Sequence, residues 1–417
     1  MAKTFGNATL QVPCAGAWPS GWRRTTLGML QHFLTSGSRG WAPFYSDSGA
    51  LFVRITNLTR HGINLDLSKC RFVSLPKSNS EGRRTRLRNG DLLISITADL
   101  GLIAHYSTPK LHSEAYVNQH IALLRITGPD VDTKFVAYQL SAPWAQKRFK
   151  QITDRGAKTG LGLGAIRSFP ILLPLIHEQH VITEVLDCWN EVIRVYEKKI
   201  EKKQNVKKGL THKLLSGELR LPGFSKEWGS DKVQNLADIG TGCSDTKDKF
   251  PNGKYPFYVR SPKPETIDSY TYDGTAVLTA GDGNIGKIFH FVTGKFNYHQ
   301  RVYRISDFNP ILSPRFFFEY FRLNFIRQAR RYSAKTSVDS VRMEMIADMT
   351  VPLPPLEEQA AIARILSAAE DEIHSLEQRL SSLQEQKRYL LNNLVTGAIR
   401  LPQFLKQETN EEGTSNE

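Results

Sequence analysis

The chain has 417 residues, 40% of them hydrophobic and 23% charged, with 55 Lys and Arg against 41 Asp and Glu for a net +14, which gives room for about two or three domains at roughly 150 residues each. The longest nearly uninterrupted apolar stretch, residues 169–176, falls far short of the roughly 18 residues a membrane span needs, and the N-terminus lacks a signal-peptide apolar core, so a cytoplasmic protein without membrane contact is expected. Cys14, Cys70, Cys188 and Cys243 lie scattered, with no CxxC spacing and no His cluster, so neither a metal site nor a disulfide framework is signalled.

The charge is regional. Residues 1–170 carry 22 Lys/Arg and 9 Asp/Glu (+13), whereas residues 351–417 carry 6 and 11 (−5). A basic surplus on one globular segment favours a polyanionic partner, because each Lys or Arg laid against phosphate releases condensed counterions. Within a first domain over residues 1–172, the loop at 37–41 holds Arg39, and Arg54 ends the strand-like run LFVRI. Residues 82–88, GRRTRLR, form the densest basic loop, with Arg83, Arg84, Arg86 and Arg88. Forked guanidinium groups there suit phosphate or guanine; the alternative is a solvated loop between strands. Residues 90–126 then read strand, Gly-containing turn, strand, an Asn-x-His and a further strand. Lys147, Arg148, Lys150, Arg155 and Lys158 suit the nucleic-acid backbone, which positions rather than specifies. The GLGLG at 160–164 is flexible-loop composition.

The next segment reveals a duplication. Residues 174–224 align without a gap to residues 354–404, a constant shift of 180, with identities at Glu178/Glu358, Gln179/Gln359, Gly217/Gly397 and the Arg-Leu-Pro runs from Arg220 and Arg400. Each copy carries a heptad seam: Ile182, Leu186, Trp189, Ile193, Tyr196 and Ile200 in the first; Ile362, Leu366, Ile373, Leu376, Leu380 and Leu383 in the second. Spacings of four and three in alternation, with Ala369 between Leu366 and Ile373, predict two long helices, each needing a partner. Prolines ahead of each helix and the acids that follow suit a first turn, and Gly217 and Gly397 supply the stop. Lys203, Lys207 and Lys387 interrupt the seams, where they either fix register or snorkel at a splayed end. The simplest intramolecular pairing is antiparallel, with an approximate two-fold axis. The expected parts are therefore a first spacer helix at 173–217, a second domain at 218–351, a second spacer helix at 352–400 and a tail at 401–417, disordered toward its end.

The second domain repeats the first in degenerate form. YPFYVRS parallels LFVRI and sets Arg260 opposite Arg54, while NYHQRVYRI parallels NQHIALLRI through the shared Asn-x-His; the GAKT at 156–159 parallels the SAKT at 333–336. GDGNIGKI at 281–288 mimics a phosphate-binding loop. Ile288 stands where Ser or Thr must reach magnesium, and strand-like residues follow where a helix is required, so a turn between strands is expected. Asn284 and Lys287 in that turn, together with the loops at 37–41 and 240–245, are candidates for base reading because they differ between the halves. Arg327, Arg330, Arg331 and Lys335 suit the backbone. No motif for a catalytic residue is visible.

The paired PLPPLEEQ-like lead-ins, the long helices, the Gly-x-x-Arg-Leu-Pro exits and the half-repeat elements closely resemble the specificity (S) subunits of type I restriction-modification systems over nearly the whole chain. The resemblance implies an α+β fold: two globular target-recognition domains of mixed strands and helices, separated by two long helices in an antiparallel coiled coil with pseudo-two-fold symmetry. It implies a non-catalytic subunit that reads a bipartite asymmetric site in double-stranded DNA, one domain per half-site. One copy would dock two methyltransferase subunits, and restriction/translocase subunits join the larger complex. S-adenosylmethionine, ATP and magnesium would belong to those partners, and no cofactor to this chain. A nucleotide-dependent enzyme using the 281–287 loop and a non-specific coiled-coil DNA-binding scaffold are the alternatives, and both fit the duplication less well.

A helix of about 38 residues at roughly 1.5 Å per residue is on the order of 57 Å long, enough to hold two readers a DNA turn or more apart. Inserting one helical turn into both spacer helices is expected to lengthen the unread gap and leave both half-sites unchanged, as measured by mapping methylated sites.

Overall fold

The computed structural model describes residues 19, 21–75, 80–107, 114–154, 160–283, 285–332 and 340–401. Arg155, Lys158, Asn284, Lys335, the 156–159 and 333–336 parallel and the tail from 402 lie outside the described residues. The chain forms two compact units, Met1–Tyr196 with Arg379–Glu417, and Glu197–Gln378. Each long helix, Ile176–Ser216 and Leu356–Leu394, contributes a length to both.

In the first unit, strand Arg23–Thr26 pairs antiparallel with Pro170–Leu173, which feeds the first long helix. An antiparallel sheet runs in the order Gln31–Ser36, Ile121–Ile126, Leu92–Ser95, Ile103–His105. Its middle strands are near-continuous apolar runs because both faces are covered, so alternate residues enter different cores. Leu92, Ile94 and Leu124 pack with Phe135, Tyr138 and Phe149 from helices Thr133–Ser141 and Pro143–Asp154, and with Ile182, Leu186 and Leu394 of the long helices. Leu93 and Leu123 face the other way, toward Leu51 and Val53 of a second sheet, Tyr45–Ser46, Phe72–Val73, Ala50–Val53, Ala115–Val117.

The second unit repeats this plan with its strands joined into one six-stranded sheet, in the order Asp238–Thr241, Val302–Ser306, Tyr272–Ala280, Phe289–Tyr298, Tyr255–Tyr258, Glu265–Ile267. Strand Gly229–Lys232 pairs with Thr350–Leu353, which leads to the second long helix. Helix Pro314–Arg331 fills the place of the first unit's helix pair and buries Phe316, Phe317, Phe321 and Phe325, with the Phe321 and Phe325 rings stacked at 4.6 Å. This is the expected α+β architecture of mixed strands and helices with two long helices.

All the seam residues are buried or half-buried. Within the second unit Lys203 meets Glu372 and Lys207 meets Glu370, both at 2.8–2.9 Å; partner numbers fall as helix numbers rise, so the helices run antiparallel. The seam lysines thus direct their amines onto acids of the facing helix. Lys387 is buried in the first unit and donates to the His61 carbonyl at 3.0 Å. Gly217 and Gly397 adopt φ of +76° and +71°, left-handed conformations that glycine adopts without steric cost.

The first turn of each long helix is pinned by a buried carboxylate. Arg400 donates Nε and Nη2 to the two oxygens of Glu178 at 2.7 and 2.9 Å. Arg220 donates the same two groups to Glu358 at 2.8 and 2.9 Å. Glu178 is 4% and Arg400 12% exposed, so Arg400→Ala leaves a charge uncompensated in the core. It is expected to lower stability by about 3–5 kcal/mol in urea unfolding, and Arg400→Lys, which lacks the fork, is expected to recover only part of the loss.

Candidate nucleic-acid interface

In each unit the ends of several strands bring four loops together through the same backbone hydrogen bonds. In the first, Asn118 N donates to Val53 O, Ile121 N to Asn118 O, Ile96 N to His120 O and Leu161 N to Ile96 O. In the second, His299 N donates to Tyr258 O, Val302 N to His299 O, Gly281 N to Arg301 O and Val341 N to Gly281 O. Parallel bridges Ser38–Asn118 and Ser244–His299 complete both frames. These bonds equate Asn118 with His299, His120 with Arg301 and Val53 with Tyr258. The Asn-x-His match read from sequence is therefore displaced by two residues. The Arg54–Arg260 match is also corrected, because Arg54 corresponds to Val259 and Ile55 to Arg260. A shared three-residue pattern outweighed the strand register, which only the ladder reveals.

The side chains on this common frame differ. In the second unit Asp282 accepts from Arg260 Nη1 at 2.8 Å and Arg301 Nη1 at 3.0 Å, while Gln300 Nε2 donates to Asp245 at 2.8 Å. Burial pushes the Asp282 carboxyl up, but hydrogen bonds and charge from Arg260 and Arg301 outweigh it and hold the group below the usual carboxylate range. Burial, and then the positive charge of Arg260, depress His299. In the first unit Thr97 Oγ1 meets His120 Nδ1 at 2.5 Å, and Gln119 Nε2 meets His120 Nε2 at 3.0 Å. Thr97, His120 and Arg301 were not singled out in the sequence, and Asp282 only as part of the 281–287 turn; aligning QHIALLRI with QRVYRIS directly would have matched His120 to Arg301.

The basic run at 82–88 is not the expected loop. It opens in helix Ser80–Thr85 and continues into a bridge between Arg86 and Tyr116, and Gly82 lies so close to Leu75 and Tyr116 that a side chain there would crowd them. Arg84 is exposed but donates to Thr35, to the Ser36 carbonyl and to Ser38, and Arg86 pairs with Glu114 at 2.8 Å. The Arg83 and Arg88 side chains are exposed. Arg39 and Lys287 are also exposed, on the loops proposed for base reading. Arg54 is half-buried, with Nη2 on the Lys69 carbonyl at 3.4 Å.

Arg327 and Arg331 line a cleft of about 580 Å³ with Lys232, Tyr320, Tyr332 and Asp348, whereas Arg330 is exposed on the same helix. Asp348 accepts from Lys232 at 2.8 Å and from Tyr332 at 2.9 Å, which offsets part of the positive charge. The GDGNIGKI stretch joins two antiparallel strands, Tyr272–Ala280 and Phe289–Tyr298, so the helix N-terminus that a nucleotide phosphate requires is not there. Among the described residues no three His, Cys, Asp or Glu are grouped to hold a metal ion, and no helix is long and apolar enough to cross a membrane.

Residues 80–204 and 225–385 match the type I restriction modification DNA specificity domain, the second match carrying all the strands of the second unit and the first those of the first unit from Leu92 onward. The chain belongs to this family. The type I restriction enzyme EcoDI specificity subunit of Escherichia coli is 29% identical over 159 residues, 38% of this chain and 35% of that protein; the alignment thus spans about a third of that relative's length. The putative type I restriction enzyme MjaX specificity subunit of Methanocaldococcus jannaschii is 24% identical over 377 residues, 81% of this chain and 84% of that protein. The fold is shared with the S subunit from M. genitalium, with a TM-score of 0.58 at 14% identity over 90% of this chain and 96% of that one. A chain from a structure describing complex assembly and conformational transition of the type I R-M system gives a TM-score of 0.59 at 14% identity, over 92% and 100%.

For a specificity subunit the two kinds of arginine separate experimentally. Arg83→Ala and Arg88→Ala are expected to leave the melting temperature unchanged and to reduce the slope of log K against log salt by about 1 each in DNA titrations. Arg84→Ala is expected to lower the melting temperature, since Arg84 ties the helix to the neighbouring strand.

Proposed function

We propose that this chain is the non-catalytic specificity subunit of a type I restriction-modification complex, that it reads a bipartite asymmetric site in double-stranded DNA, and that each unit recognises one half-site. The observation that carries the reading is the pair of identical loop frames bearing different polar side chains: two readers of one design with two different targets. The exposed arginines beside those frames supply phosphate contacts that hold register on the duplex. The long helices dock two methyltransferase subunits to one copy of this chain, and restriction subunits join the larger assembly. S-adenosylmethionine, ATP and magnesium enter with those partners.

Replacing residues 1–172 with the corresponding segment of a relative of different specificity is expected to change one half-site and leave the other intact, as read by sequencing methylated DNA from cells carrying the hybrid and its partner subunits. Alteration of both half-sites, or of neither, contradicts one reader per half-site.

A further inference from the structure

The two frames place one side-chain pair at the same backbone positions. Residues 97 and 282 each follow the residue whose N–H bonds the opposite turn, and residues 120 and 301 supply that bond's carbonyl. In both units the pair is bonded across the loop, as Thr97–His120 in the first and Asp282–Arg301 in the second. The second unit adds Arg260, where the first has Ile55.

Resting on the reading of this chain as a DNA specificity subunit, we propose that these are the base-reading positions of the two units, and that Arg301, held with Arg260 by Asp282, recognises a guanine edge in the major groove of the half-site read by the second unit. Three features favour this over a structural ion cluster or a phosphate clamp. Arg301 is 62% and Arg260 42% exposed while Asp282 is 16% exposed, and ion pairs so open to water contribute little to stability. Asp282 takes one Nη from each arginine, so each guanidinium keeps further donors for a ligand and the cluster keeps a net positive charge. A fork oriented in this way presents the bidentate geometry that matches O6 and N7 of guanine, which a phosphate contact does not require, and part of the ordering cost is met before DNA arrives. Asp282 is a positioning residue. In the first unit the Thr97–His120 pair offers an imidazole and a hydroxyl in place of guanidinium, so its half-site differs at the matching base.

The test selects binding sites from a randomised duplex pool with the full chain, wild type and variants, and measures affinity for the selected site and for its single-base changes. Arg301→Ala is expected to abolish the preference for guanine at one position of one half-site, with a loss of about 5- to 150-fold on the selected site, and to leave the other half-site untouched. Arg301→Lys keeps the charge without the fork and is expected to lose the preference while preserving the salt dependence. His120→Ala is expected to alter the other half-site alone. A uniform loss on all sequences, which marks a phosphate contact, overturns the assignment, as does an unchanged site in both Arg301 variants with a native melting temperature. A wild-type chain that selects no sequence overturns the specificity reading and this assignment with it.

Discussion

A carboxylate buried at the foot of a helix must be neutralised where it stands, and Glu178 and Glu358 meet that constraint with arginines from the opposite copy of the duplicated sequence. Arg400, at the exit of the second long helix, grips Glu178 at the start of the first; Arg220, at the exit of the first, grips Glu358 at the start of the second. The next residue in each copy extends the clasp inward. Gln179 accepts from Asp132 N and donates to the carbonyls of Asp130 and Pro174; Gln359 accepts from Ser313 N and donates to those of Ile311 and Pro354. All of the amide's strongest valences are used in both places. Asp132 and Ser313 immediately precede the helices that cover the sheets, so a single Glu-Gln dipeptide sets long helix, covering helix and sheet in mutual register within each unit.

From that register the rest of each unit follows by packing. The central strands are covered on both faces in the first unit, and the aromatic helix Pro314–Arg331 seals the sheet in the second. Bonds between loops at the strand ends then fix positions such as 97 and 120, or 282 and 301, without help from their side chains. The strands of the first unit separate into two sheets where those of the second join into one, yet the loop frame is the same, which locates the invariant part of the design in the ladder and not in the sheet count.

The duplication, the heptad seams and the glycine stops were legible because each is a pattern along the chain: every seam residue named from spacing alone is buried or half-buried. The turn nature of GDGNIGKI was legible from the misplaced Ile288 and from the strand-like residues that follow it. Glu178 and Arg400 were visible as repeated residues, but their partnership joins positions more than two hundred residues apart and no local periodicity encodes it. The basic run at 82–88 misled for a related reason. Charge density announces exposure, and all four arginines are exposed, but Arg84 spends its donors on Thr35, Ser36 and Ser38, and only the folded structure separates it from Arg83 and Arg88. The Asn-x-His resemblance similarly hid a two-residue offset: a slip of two keeps every side chain on its own face of the strand, so alternation does not expose it and only the hydrogen-bond ladder does.

A frame held entirely by main-chain bonds has a consequence for how such a protein changes over generations. On the proposed reading, substitution at an exposed position of the frame alters what is recognised without taxing the fold, because the main-chain bonds that hold the frame do not depend on that side chain. With one frame per half-site, as proposed, a change on one leaves the other's target as it was, so n variants of one and m of the other multiply rather than add.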